Sequence, residues 1–480
     1  MTKSDKIKLI NMTIVLFFIF GFRYVPAVGG ITPVGMHVIG IFIGCIYGWS
    51  MINMMWPSLF AILSMSTVEG YTLASVAAAG FGSTTFWIIF FILLYIAVFE
   101  KFEGTKFLAA WFLTRKSTKG HPMILIFMFL LGAYVVGKLS GIASCLLFYT
   151  ILYGICAQVG YKPHDKFSTL MIFGITFSAM FGSISLAISS TPLILANAFR
   201  SATGIPITIA DTFKVCFIFG IFLVAAYTLA MKYVFRCDFG PLKNVNIEEI
   251  LGENALEMNK GLKIMFGFTA AIILWIVGGL VLPAEWGLTK LMKAWDLLGI
   301  TMILIGLLMA IKVDGKPMFT ISEYITKVPW EIQFLCATIL PMGSMLTMQS
   351  TGISALITNT VGNFLIGLPD IAFIAVMLLI VTILTNIGNN ASMVMLMLPV
   401  LLTVCEATGL APVPIYLMIM YAAHLAMLTP GACPYAALVW GNSEWLTPKE
   451  IYKYSSIIML IFWVLIVVVG YPWAKLMLGV

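Results

Sequence analysis

Two polar interruptions decide the fold of this 480-residue chain: KLSGIAS at residues 138–144 and TNIGNNAS at residues 385–392. Each lies in the middle of an apolar segment, 122–159 and 370–404 respectively. Both segments are too long for one bilayer crossing, which takes about 20 helical residues. Bare backbone at membrane depth is tolerated only where protein or a wet cavity satisfies it. Both segments are therefore predicted to be re-entrant hairpins with their tips near the midplane.

The composition predicts the fold class. Hydrophobic residues make up 61% of the chain and charged residues only 10%, whereas soluble domains carry about 25% charged residues. The chain is therefore expected to be an all-α polytopic membrane protein, since no stretch alternates as barrel strands do. The eight cysteines are scattered singly and indicate neither a disulfide framework nor a metal site. The basic residues form no long run, so no nucleic-acid partner is expected.

The basic residues also predict the topology, because cytoplasmic loops are enriched in Lys and Arg. With a cytoplasmic N-terminus and eleven full crossings, twenty of the 27 Lys and Arg residues fall inside and six outside. The remaining one, Lys138, falls within the membrane. The chain is therefore predicted to be a multi-pass protein of the cell membrane. Hairpin 122–159 is expected to enter from the cytoplasm and hairpin 370–404 from outside.

The two halves of the sequence repeat one another. The interval from Gly104 to Ser144 is 40 residues, and so is the interval from Gly352 to Ser392. Each hairpin is followed by a proline-containing break, SSTPL at 189–193 and TPGACPY at 429–435. Since the two hairpins enter from opposite faces, the repeats are predicted to be inverted, as is usual in secondary transporters. The expected divisions are N-terminal scaffold spans 1–83, a first repeat 84–235, a cytoplasmic linker 236–263 and a second repeat 264–480.

The hairpin tips and the broken helices carry the expected chemistry. Free N–H groups at helix N-termini attract anions, and free carbonyls attract cations. Residues with hydroxyl, amide or ammonium groups are the predicted substrate ligands: Lys138, Ser140, Ser144, Thr191, Asn389, Asn390 and Ser392. Residues with suitable oxygen or sulfur atoms are the predicted cation ligands: Ser140, Ser189, Thr191, Asn386, Asn389 and Cys433. The alternative is that these small residues only permit close helix packing.

Lys138 and His424 are the two ionisable side chains of most interest. An ammonium at a hairpin tip is costly in a bilayer and is a functional hypothesis by default. Lys138 could pair with a substrate carboxylate or replace a coupling cation, and the alternative is a structural pairing. A proton-coupling role is open to His424, although a lone helical histidine is more often packed and hydrogen-bonded.

These motifs resemble the divalent-anion/sodium symporter family of the ion-transporter superfamily, which contains dicarboxylate, citrate and sulfate carriers. The family's Ser-Asn-Thr hairpin signature is matched here by Ser140 and Asn389, and its proline breaks by Thr191, Pro192 and Pro434. The sequence is thus identified as a distant member. The resemblance implies a homodimer with a scaffold and a moving transport domain, and an elevator mechanism often driven by sodium.

The sequence as a whole predicts a secondary active transporter of a small organic anion, such as a di- or tricarboxylate, coupled to sodium or to a proton. A cation/proton antiporter or an inorganic oxyanion carrier of the same superfamily is the alternative. The predicted midplane lacks the Asp/Glu pair that proton exchange usually needs. An enzyme is not expected, because no His, Asp, Glu or Cys cluster and no phosphate-binding glycine loop is present. No cofactor is expected beyond a coupling ion.

Overall fold

The protein is almost entirely helical in the computed structural model, which describes residues 3–252, 254–283, 285–346, 348–357 and 367–480. Helices dominate because a lipid-embedded backbone must satisfy its own polar groups. The α-helices before the linker are α1 Lys3–Leu16, α2 Pro33–Met51, α3 Met55–Met65, α4 Leu73–Gly80, α5 Thr84–Lys101, α6 Gly104–Leu113, α7 Pro122–Gly137, α8 Gly141–Val159, α9 Lys166–Ile184, α10 Ser190–Thr203, α11 Ile209–Thr212 and α12 Ile218–Tyr233.

The linker and the second half continue the same pattern. The α-helices there are α13 Ile247–Leu251, α14 Lys260–Val281, α15 Gly287–Ala310, α16 Ile321–Tyr324, α17 Trp330–Leu346, α18 Ile353–Ile357, α19 Asp370–Thr385, α20 Asn390–Thr408, α21 Pro412–Ala423, α22 Pro434–Gly441, α23 Pro448–Leu465 and α24 Tyr471–Leu478. A two-residue antiparallel ladder pairs β1 Lys312–Val313 with β2 Lys316–Pro317. The short helix α13 lies within the predicted linker 236–263.

Ten of the described helical runs are long and apolar enough to cross a membrane, against the eleven crossings expected from the sequence. Helix α9 is the most enclosed of them, with 94% of its apolar window buried. It packs against α7, α8 and α12 of its own half and against α21, α22 and α23 of the other. The Phe462 ring of α23 contacts Phe177 of α9 edge-on and stacks on Tyr227 of α12. Both halves therefore share one core centred on α9.

Each predicted hairpin is a pair of helices joined by a short tip. Hairpin 1 consists of α7 and α8, and hairpin 2 consists of α19 and α20. The first helix of each has 16 residues, about 24 Å at 1.5 Å per residue, against roughly 30 Å of hydrocarbon. The Ser144 hydroxyl in α8 donates 2.9 Å to the Ala133 carbonyl in α7, which holds the two antiparallel helices of hairpin 1 together.

The ends of hairpin 1 lie beside the linker. Lys119, just before α7, forms an ion pair with Glu248 at 2.9 Å. Gln158, at the end of α8, donates to Glu249 at 2.9 Å. Because Glu248 and Glu249 are neighbours in α13, both ends of hairpin 1 are at the same end of the molecule.

The ends of hairpin 2 lie at the opposite end. Helices α23 and α24 form one helical run, Pro448–Leu478. His164, which follows α8, lies 3.1 Å from Glu450 near the start of this run. Asp370 and Cys405, at the two ends of hairpin 2, both lie near Tyr471. Tyr471 is 21 residues beyond Glu450, which corresponds to about 32 Å of helix.

Two interrupted helices follow the two hairpins. Break 1 is residues 185–189 between α9 and α10, and break 2 is residues 424–433 between α21 and α22. Ser189 and Cys433 are the N-cap residues of α10 and α22. Proline follows within the first turn of each helix because it lacks the N–H group that has no partner there. The sequence prediction that both segments contain a helix break at Thr191-Pro192 and Cys433-Pro434 agrees with these positions to within two residues.

Candidate functional site

Lys138 joins hairpin 1 to break 1. It is the C-cap residue of α7 and is 9% exposed. Its Nζ atom donates 2.6 Å to the Leu186 carbonyl and 2.9 Å to Ser189 Oγ. Ser189 Oγ in turn donates to the Ser183 carbonyl at 2.7 Å. Because an ammonium has three donors, these two bonds leave Lys138 one donor for a further acceptor.

Asn386 joins hairpin 2 to break 2 in the same way. It is the C-cap residue of α19. Its Nδ2 atom donates to the Thr382 and Leu425 carbonyls at 2.7 and 2.9 Å, and its Oδ1 atom accepts from Leu428 N at 2.8 Å. Both amide protons of Asn386 are thus donated to acceptors within the protein. Lys138 stands six residues before Ser144, and Asn386 stands six residues before Ser392. Residues at matching sequence positions therefore bind the two breaks, and one of them is charged and the other neutral.

The two halves also cross over at the site. The Tyr435 hydroxyl, at the start of α22, lies over Gly141 at the start of α8, and a Cβ atom at Gly141 would be 1.8 Å from that oxygen. Only glycine permits such an approach. Further along, Asn442 donates 2.7 Å to the Tyr153 hydroxyl of α8. Helix α10 packs correspondingly against α20 of hairpin 2.

These contacts close a ring of four polypeptide segments. Hairpin 1 meets break 1 through Lys138, and hairpin 2 meets break 2 through Asn386. Helix α22 then meets hairpin 1, and α10 meets hairpin 2. Four helices begin in this ring: α8, α10, α20 and α22. Their N-terminal dipole ends and the Lys138 ammonium make the ring electropositive, and no Asp or Glu occurs in residues 138–144, 185–191, 386–392 or 424–435.

The expected site residues fall into two groups by accessibility. Four are half-buried at the ring: Ser140, Ser189, Thr191 and Asn389. The others are buried: Lys138, Ser144, Asn386, Asn390, Ser392 and Cys433. Among the half-buried group, Asn389 caps α20 by accepting from Ala391 N at 3.0 Å. This group is the accessible part of the set.

Several buried members of the set have partners within the protein. Ser144 holds hairpin 1 together, as described above, and the Asn390 side chain lies 2.9 Å from Thr385 Oγ1. Cys433 Sγ donates to the Ala426 carbonyl and accepts from Ala436 N. These contacts give Ser144, Asn390 and Cys433 structural roles in this conformation.

Other ionisable groups near the site are packed. His424 opens break 2, is 4% exposed, and has Nδ1 2.7 Å from the Met420 carbonyl. That geometry favours the packed interpretation of His424 over proton coupling. Within the described ranges, no three His, Cys, Asp or Glu side chains are placed to hold a metal ion.

Two residues at or near the ring escaped the sequence analysis. Tyr435 carries no signal of its own in the sequence, although glycine at position 141, two residues before Ala-Ser, is a signal of close approach. Gln333 in α17 is fully buried, and neither of its amide atoms has a hydrogen-bond partner within the described residues. Three turns later on the same face, Ser344 donates to the Ser201 carbonyl of α10. Helix α17 packs against α10, which begins in the ring.

Solved structures with the same fold are transporters. The YdaH transporter of Alcanivorax borkumensis aligns over 92% of this chain and 98% of its own, with a TM-score of 0.55 and 11% identity. The MtrF efflux pump of Neisseria gonorrhoeae aligns over 82% and 80%, with a TM-score of 0.54 and 14% identity. At these identities the likeness concerns the fold.

Sequence relatives are also transporters. An uncharacterised transporter of Haemophilus influenzae is 24% identical over 86% of each chain. The sodium-dependent dicarboxylate transporter SdcS of Staphylococcus saprophyticus is 23% identical over 66% of this chain and 62% of its own. These matches confirm the resemblance drawn from the hairpin and break motifs, and they identify a transporter and not an enzyme. The citrate transporter family model matches residues 37–422, so the chain belongs to the citrate transporter family.

Proposed function

We propose that this transporter is a secondary active carrier of small di- or tricarboxylates, and that the substrate binds in the ring of hairpin tips and helix breaks. The observation that carries the proposal is the Lys138 ammonium, which is bonded to break 1 in a ring of segments that contains four helix N-termini and no carboxylate. Discontinuous helices that aim N-terminal ends at an anionic group are typical of transporter binding sites. The family and the dicarboxylate relative support the carboxylate class.

The proposed ligands are graded by their accessibility. Ser140, Ser189, Thr191 and Asn389 contact the substrate or a cation directly, and the third donor of Lys138 pairs with one carboxylate. The buried side chains position these ligands: Ser144, Asn390 and Ser392 position the substrate ligands, and Asn386 and Cys433 position the cation ligands. Sodium is the proposed coupling ion, because neutral oxygens dominate the ring and because SdcS is sodium-dependent. The lack of ring carboxylates argues against a cation/proton antiporter.

The proposed mechanism is an elevator movement of the hairpins and broken helices against the remaining spans. The placement of the hairpin ends, about 32 Å apart along one helix, supports two re-entrant hairpins that enter from opposite faces in inverted repeats. The charge bias of the loops supports a cytoplasmic N-terminus in the cell membrane. Residues 1–83 form the proposed N-terminal part of the scaffold, 84–235 and 264–480 the two repeats, and 236–263 the cytoplasmic linker. A homodimer is proposed from the family resemblance and is testable by cross-linking in native membranes.

The test is thermal unfolding of the purified protein with succinate, citrate, sulfate and phosphate, each with and without sodium, followed by counterflow in proteoliposomes. A ligand that binds only the folded protein stabilises it by mass action. We expect stabilisation by a carboxylate that increases with sodium, and saturable counterflow of the same compound. Stabilisation by inorganic oxyanions alone, or sodium/proton exchange without substrate, would contradict the proposal.

A further inference from the structure

A cavity of about 330 Å³ lies beside break 1. Helices α10 and α11 form one wall, α14 and α15 form the other, and the start of α5 closes one side. Its polar lining consists of hydroxyl, amide and charged side chains, namely Thr84, Thr85, Asn197, Arg200, Thr208, Lys293 and Asp296. This lining differs from the apolar surface that these helices would need against lipid.

The cavity extends from the end of α10 to break 1. Arg200, in the last turn of α10, and Ala187, inside break 1, both line it. Ala187 directly follows Leu186, whose carbonyl binds Lys138. From Ser190 to Arg200 the helix rises about 15 Å, which is half of the roughly 30 Å hydrocarbon thickness. The cavity therefore has the length needed to connect one membrane face with the midplane.

The charges along the cavity favour anions. Arg200 and Lys293 against Asp296 leave one net positive charge among the lining residues. All three side chains are exposed, and no ion pair joins either cation to Asp296 in the described part of the chain. A cleft with one sign of charge and low-dielectric walls focuses the field and concentrates counter-ions.

The backbone at Asp296 is one reason to expect water in the cavity. Asp296 has φ 48° and ψ −150°, which interrupts α15. The Trp275 indole donates 3.1 Å to the Asp296 carbonyl, and Trp275 stacks on Trp295. Non-helical backbone within a membrane is tolerated only in protein or beside a water-filled cavity. The interruption faces this cavity, where water can satisfy the remaining backbone groups.

We infer that this cavity is a water-filled access path through which small dianions reach break 1 from the membrane face that carries Arg200 and Lys293. The inference rests on the proposed function for the identity of the anion, but not for the existence or the charge selectivity of the path. Arg200 and Lys293 attract the anion, and Lys138 at the far end receives it.

The first test is chemical modification of Asn197→Cys in the full-length protein in proteoliposomes. Modification at position 197 is measured by mass spectrometry with an anionic and a cationic methanethiosulfonate reagent, so the eight native cysteines do not interfere. We expect modification with a rate ratio that favours the anionic reagent on the order of fivefold, as expected for one net charge at short range. Ala198→Cys is the matched control, since Ala198 is buried and its backbone lies near Gly343 of α17, and it is expected to stay unmodified.

The second test removes the charges. Arg200→Gln with Lys293→Gln leaves Asp296 uncompensated, a net charge of −1 among these three residues. The ratio of the two rates at position 197 should therefore reverse to favour the cationic reagent, whereas Lys290→Gln, one turn earlier on α15 and outside the cavity lining, should leave it unchanged. Thermal unfolding of each variant shows whether it is folded. No modification at position 197, or equal rates for both reagents in the parent, would overturn the inference. A third outcome is charge-selective modification at position 197 that no carboxylate slows, together with no carboxylate counterflow. It would support the access path and contradict the proposed substrate class.

Discussion

Replacing Lys138 by Gln tests the central charge of the site. Gln is neutral and still able to donate to the Leu186 carbonyl and Ser189, so the variant removes the charge while keeping the means to fill break 1. A charge-assisted hydrogen bond contributes about 1.5–3 kcal/mol, and 1.4 kcal/mol corresponds to a factor of ten in Kd. Carboxylate affinity should therefore fall roughly 10- to 100-fold.

The assay is a carboxylate titration of thermal stabilisation, with counterflow in proteoliposomes as the transport readout. Lys453→Gln, an exposed lysine on α23, is the control and should bind as the parent does. A more disruptive variant, Lys138→Ala, also leaves the Leu186 carbonyl without a donor, and it should lower the unfolding temperature as well as the affinity. Unchanged affinity and ion dependence in both Lys138 variants would refute a role for this ammonium in binding, and would leave it as a structural clamp.

Three further predictions concern other contacts. Gly141→Ala should abolish transport because its Cβ atom would lie 1.8 Å from the Tyr435 oxygen. Adding Tyr435→Phe to this variant should restore part of the counterflow, and equal activity of the single and the double variant would contradict this. Gln333→Met should raise the unfolding temperature by about 1–2 °C, because two buried amide atoms that lack a partner among the described residues cost about 1 kcal/mol or more. A lowered value would indicate a bound partner. Burial raises the pKa of Glu450, but hydrogen bonds from Thr447 and the interaction with His164 outweigh it and lower the pKa overall. Its stabilising contribution is therefore present above its ordinary pKa and lost as the pH falls, so the difference in unfolding temperature between the parent and Glu450→Gln should shrink toward pH 4.

The hairpins and breaks were predictable because they rest on local sequence. An apolar segment longer than one crossing, with a polar interruption, has few structures open to it in a bilayer, and proline at the start of a half-helix marks a break. For the same reason the interrupted positions around Lys138, Ser189, Asn386 and Cys433 could be located in advance. The count of crossings was less certain, because helix α8 of hairpin 1 is as long and apolar as the helices that are expected to cross.

The roles of individual side chains were less predictable, because they depend on partners distant in sequence. Asn386 is a cation-ligand candidate by residue type, yet its amide is bonded to the Thr382 carbonyl of its own helix and to break 2. Ser144 and Ser392 stand at equivalent positions, but only Ser144 has a partner within the described residues, the Ala133 carbonyl. Gln333 carries no motif, and it becomes notable only because the folded protein buries it without a hydrogen-bond partner among those residues.

The sequence by itself determined that this protein crosses a membrane as helices, where its two hairpins and two breaks fall, and that a single lysine lies among them, because hydropathy, charge and proline act locally. Only the tertiary structure decided that Lys138 fills the break of its own half, that Tyr435 of the other half covers Gly141, and that a cation-lined cavity leads to break 1. Those facts depend on distances between segments far apart in the chain, and packing, which sets such distances, is a property of the whole fold.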